Sequence, residues 1–113
     1  MAKAQGDPGR PLTSGLTPMH PGELLKDVIF PALDRPMEEI AGYLGMSRMN
    51  LYRLMRCEIP VTAELAVKLA QLLGGADAEY WLRLQGAYDL AVARRELGDS
   101  VKTIPTLKAV EAA

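Results

Sequence analysis

An all-α domain of five helices is the fold this sequence predicts, and three observations predict it. Apolar residues recur at helical spacing in five separate stretches. Each stretch is bounded by residues that cap or break helices. No stretch reads as a convincing core strand, and there is no internal repeat. The length of 113 residues suits one domain with a modest core, and 49% hydrophobic residues exclude wholesale disorder.

The elements follow in chain order. Residues 1–18 hold Gly6, Pro8, Gly9, Pro11, Gly15 and Pro18 and are expected to form a flexible arm. His20 is expected to cap or precede the first helix, which starts near Pro21. Leu24, Leu25, Val28 and Ile29 make its buried stripe, and it is expected to stop before Pro31. Residues 31–36 are a connection. Ile59-Pro60-Val61 is an extended link after the motif described below. Thr62 then caps a helix carrying Leu65, Ala66, Leu69, Ala70 and Leu73, which Gly74-Gly75 ends. Asp77 caps a helix of about twenty residues that stops before Gly98. Trp81, Leu84, Tyr88 and Val92 lie on or near one face of it. The domain proper is placed at 19–97. Residues 98–113 are a short tail, extended or mobile, containing Pro105.

Residues 37–56 carry the functional signal. Ile40 and Leu44, four apart, share one helical face, and Leu51 and Leu54, three apart, share another. Ala41 permits a close crossing of the two helices, and Met46 plugs the angle between them. Gly45 supplies the left-handed conformation that ends a helix at little steric cost. Ser47 can cap the second helix by accepting from an orphan N–H. Pro36 suits the first turn of the first helix, and Glu38 and Glu39 favour its positive end. A generic helical hairpin would share the apolar spacing. The glycine, the capping serine and the polar outer face together point to a helix-turn-helix, whose second helix enters the DNA major groove.

The outer face assigns roles. Residues at the start of a recognition helix reach base edges, and later ones touch phosphates. Arg48 suits bidentate contact with guanine, and Asn50 suits adenine. Met49 and Tyr52 can pack on a thymine methyl or a sugar edge. Ser47 can donate to a phosphate or a base. Arg53 and Arg56 are placed for the backbone. For each arginine the alternative is a solvated helix face, and for Tyr52 it is cover for the domain's edge.

Charge qualifies this picture. The net charge is −1. From Arg35 to Arg56, four arginines stand against Glu38 and Glu39, a balance of +2. From Cys57 to Asp99, four basic residues stand against seven acids, a balance of −3. Few phosphate contacts per copy imply that two copies pair to gain affinity. The acidic segment is compatible with a basic partner or with solubility alone.

Other classes find little support. No apolar run approaches the roughly 20 residues of a membrane span, and the N-terminal residues lack the apolar core of a secretory signal. The single Cys57 excludes an internal disulfide and fits a reducing, cytoplasmic setting. One cysteine and one histidine make no ordinary zinc site. There is no Gly-rich phosphate loop and no pairing of nucleophile and base. No cofactor, metal or catalytic residue is therefore assigned, and an enzyme is not expected. Trp81 and Tyr88 are expected to be core or dimer anchors.

The flanking segments resemble a known family. His20-Pro-Gly-Glu-Leu-Leu25 precedes the motif, and Ala41-Gly-Tyr-Leu-Gly-Met-Ser-Arg48 lies within it. Glu64-Leu-Ala-Val-Lys-Leu-Ala70 and Tyr80-Trp-Leu-Arg-Leu-Gln-Gly-Ala-Tyr-Asp-Leu90 follow. From about Met19 to Arg95 the chain resembles the HigA-type antitoxins, within the Xre/Cro-like helix-turn-helix regulators. The resemblance implies a five-helix, Cro/lambda-repressor-like homodimer. Such a protein binds a palindromic operator, represses its own operon and neutralises a small basic RelE-like ribonuclease toxin. It implies DNA contacts at Ser47, Arg48, Met49, Asn50, Tyr52 and Arg53, and a dimer contact around Trp81, Leu84, Tyr88 and Val92. The alternatives are a protein-interaction module, or a free-standing Xre-type regulator without a toxin.

Overall fold

His20 opens the first helix in the way its position predicts. Its Nδ1 accepts a hydrogen bond from the Gly22 N–H at 2.9 Å, and Pro21 occupies the first helical position. The structure, a computed structural model, describes residues 17–109. The expectations for the arm up to residue 16 and for residues 110–113 lie outside the described residues.

Helix α1 is built of an α turn Pro21–Leu24, a π-type turn Leu25–Ile29 and an α turn Phe30–Leu33. It does not stop before Pro31. It runs on to Asp34, which takes a left-handed conformation with φ of 54°. The π turn is the reason. Within it the Phe30 N–H reaches five residues back, to the Leu25 carbonyl, so Pro31 falls in the first turn of a fresh α segment. There its missing N–H is least costly. The same turn changes the buried stripe. Leu25 is fully buried, Leu24 and Ile29 are partly buried, and Phe30 replaces the exposed Val28 in the core.

The remaining helices are α2 (Met37–Leu44), α3 (Arg48–Met55), α4 (Ala63–Leu73) and α5 (Ala78–Leu97). Five helices are thus present among the described residues. A 3-10 segment, Gly98–Thr103, follows α5, and residues 104–109 beyond it form no regular element. Every cap anticipated from sequence forms. The hydroxyls of Ser47 and Thr62 and the carboxylate of Asp77 accept from Asn50, Leu65 and Tyr80 N–H respectively. Gly74 closes α4 in the left-handed region.

One core joins all five helices. Leu25 and Phe30 meet Ile40, Ala41 and Leu44 of α2, Leu51 and Leu54 of α3, Leu65, Ala66 and Leu69 of α4, and Trp81 of α5. Burial of such side chains contributes about 1.5–3 kcal/mol each. Two contacts fix α3 within this frame. At Gly22 the backbone of α1 lies so close to α3 that an added Cβ would stand 1.8 Å from the Leu54 carbonyl oxygen. Farther on, the Val61 N–H of the link after α3 donates to Oε1 of the buried Gln85 on α5. The Gln85 Nε2 in turn donates to Asp89 at 2.9 Å.

Candidate nucleic-acid interface

The two motif helices end in the same kind of turn. After α2, Gly45 is left-handed (φ 67°), its N–H returns to the Gly42 carbonyl, and the Met46 N–H returns to Ala41. After α3, Cys57 is left-handed (φ 64°), its N–H returns to Leu54, and the Glu58 N–H returns to Arg53. Both are Schellman turns. The first redirects the chain into the turn of the motif. The second holds Glu58 against the last turn of α3.

Helix α3 divides cleanly. Leu51 and Leu54 are fully buried and anchor it. Ser47, Arg48, Met49, Asn50, Tyr52, Arg53 and Arg56, the residues assigned to DNA from sequence, are all exposed. Met49 is 64% exposed, so its apolar side chain is free to meet a partner's surface. Ser47 both caps the helix and lies on its outward end, so its hydroxyl serves the fold as well as the surface.

The arginines of this surface carry acidic neighbours. Arg48 Nη1 lies 3.9 Å from a Glu38 carboxylate oxygen of α2. Glu58 takes hydrogen bonds from Arg56 Nε (2.9 Å) and Nη2 (3.4 Å), and its other contact is Arg53 Nε at 3.7 Å. The hydrogen bond from Arg56 holds the Glu58 carboxyl below its ordinary range, helped by the charges of Arg56 and Arg53. In sequence Glu58 is one of the seven acids from Cys57 to Asp99. The boundary drawn at Cys57 separated groups that the fold joins. The available signal was its spacing, two and five residues after the two arginines at the end of a helix.

Among the residues assigned to a dimer contact, Trp81 is the one the fold places elsewhere. Trp81 is 1% exposed and belongs to the protomer's own core. Leu84 is partly buried against that core, and Tyr88 stands edge-on to His20 with ring centroids 4.9 Å apart. Val92 is half-buried. The four share one helical face, of which the protomer seals Trp81 and leaves Leu84, Tyr88 and Val92 partly exposed. The large apolar side chains α5 leaves exposed are Leu82, Leu90 and Leu97. No helix is long and apolar enough to cross a membrane, and no metal-binding cluster of His, Cys, Asp or Glu occurs among the described residues.

Five helices, the second of the motif pair exposed and N-capped, define a helix-turn-helix protein. Known proteins locate it further. No family model matches the sequence. The chain is 33% identical over 94 residues to virulence-associated protein A of Dichelobacter nodosus, covering 83% of this chain and 92% of that one. It is 30% identical over 90 residues to antitoxin HigA-1 of Vibrio cholerae, covering 80% and 84%. Among solved structures it matches antitoxin GraA with a TM-score of 0.75 and 30% identity, covering 82% of this chain and all of that one. The same antitoxin in complex with its operator gives a TM-score of 0.74 over 88% of this chain. The chain belongs to the HigA-type antitoxin family.

Proposed function

We propose that this protein is a DNA-binding autorepressor and the antitoxin of a toxin–antitoxin pair. Two copies bind a palindromic operator in their own promoter, each inserting α3 into the major groove. Arg48 and Asn50 read base edges, and Met49, Tyr52 and Ser47 pack or bond beside them. Arg53 and Arg56 hold the backbone. The chain catalyses nothing, acts in the cytoplasm and neutralises a small basic RelE-like ribonuclease. The observation that carries the reading is the division of α3: an apolar side sealed in the core and a capped, arginine-bearing side turned wholly outward. Kinship with an antitoxin solved on its operator supports it.

Gel-shift titration against the gene's own promoter tests the DNA role. Binding at least about a thousandfold tighter than to random DNA is expected. Equal affinity for both would favour a protein-interaction module instead. Co-purification with the product of an adjoining gene tests the toxin. The absence of any basic partner there would leave a free-standing regulator.

A further inference from the structure

Glu58 sits where the two arginines assigned to the DNA backbone converge. Its carboxylate bonds Arg56 twice and stands 3.7 Å from Arg53. Its position is fixed by the main chain, because its N–H bonds the Arg53 carbonyl at 2.9 Å in the turn that closes α3. The three side chains remain about half exposed, so a competing anion can reach the arginines. Exposed pairs of this kind contribute little to stability, so a structural role explains the arrangement poorly.

Resting on the DNA-binding reading above, we propose that Glu58 is an intramolecular competitor of the DNA phosphates. It occupies Arg53 and Arg56 in the free protein and must be displaced when they engage the backbone. Phosphate contacts position a protein but carry no sequence information. Weakening them lowers affinity for all DNA alike and leaves retention to the base contacts at the start of α3. Glu58 is thus a positioning residue that limits indiscriminate binding. The opposite role, holding Arg56 ready for a phosphate, predicts the opposite sign on its removal.

The test uses the full chain, as wild type, Glu58→Gln and Glu58→Asp. Each is titrated by fluorescence anisotropy against the promoter duplex and a scrambled duplex, across about 50 to about 200 mM salt. Glu58→Gln is expected to bind both duplexes ~3- to 10-fold tighter, with the slope of log K against log salt steeper by about one. Its thermal midpoint should stay at the wild-type value, and Glu58→Asp, which keeps the charge, should stay close to wild type. In an Arg53→Ala/Arg56→Ala background the gain should vanish. Unchanged or weaker binding by Glu58→Gln, with wild-type binding intact, overturns the competitor role and leaves the DNA role standing. Tightening on one duplex alone overturns it too, because it would make Glu58 a reader of sequence. Failure of the wild type to bind either duplex overturns both.

Discussion

The Val61 N–H donates to Gln85 Oε1 across 2.8 Å, tying the link after the recognition helix to the middle of α5. Val61 is itself buried, so this N–H has no solvent to fall back on. Gln85→Ala should therefore cost about 1–3 kcal/mol, the penalty for a buried donor left unpaired. Asp89→Ala removes only the outer bond of the same side chain and should cost below about 1 kcal/mol. Urea denaturation of the two variants checks the ordering, and equal losses would refute it.

At Gly22 the constraint is steric. A methyl group there would overlap the Leu54 carbonyl oxygen, a backbone atom that cannot swing aside. Gly22→Ala is expected to destabilise by about 3 kcal/mol or more, or to abolish folding. Circular dichroism and a thermal melt distinguish these from a tolerated change. Because the clash pushes directly on α3, a variant that still folds should also lose affinity for the operator.

His20 makes stability depend on pH. Burial lowers its pKa from the ordinary 6.5, against the opposing pull of the Asp89 and Glu23 carboxylates and the Ile59 backbone. Its Nδ1 accepts the Gly22 N–H, so the proton of the neutral ring sits on Nε2, and protonating Nδ1 breaks the cap. Below pH 6.5 the unfolded chain takes up a proton that the folded chain resists. The contribution is complete above 6.5 and is lost as pH falls from there through the lowered folded value. Urea midpoints from about pH 7.5 to about pH 5 should fall more steeply for the wild type than for His20→Asn, which keeps a capping oxygen and cannot titrate. Parallel curves would contradict the assignment.

Arg48 and Arg53 should fail differently. Arg48→Ala is expected to cost about 1–3 kcal/mol on the operator and to relax preference at one base position. Arg53→Ala should weaken operator and random DNA by the same factor and flatten the salt dependence. Titrating both variants on a set of single-base operator changes separates the roles. A uniform loss for Arg48→Ala would move it from reading bases to holding the backbone.

What could be read from the residues in advance was whatever depends on neighbours in sequence. Ser47, Thr62 and Asp77 cap because capping is a matter of three residues, and Gly45 and Gly74 turn because the left-handed region favours glycine. The outward side of α3 was legible for the same reason. What escaped depends on distant partners. Gly22 matters only because Leu54 arrives there, and Gln85 only because Val61 does. Trp81 and Tyr88 were recognisable as anchors, but spacing alone does not say whether a helical face meets its own domain or another copy. Cys57 at a left-handed position broke the expectation that glycine marks such turns, and it hid Glu58 with it.

Leu25 and Phe30 are both fully buried, although five residues of regular helix would place them about 140° apart. The π turn between them brings both to the same interior. The first helix has in effect absorbed one residue more than its period allows, without lengthening a loop to do so. A relative lacking one residue here would close into an unbroken α-helix with its interior contacts kept in phase.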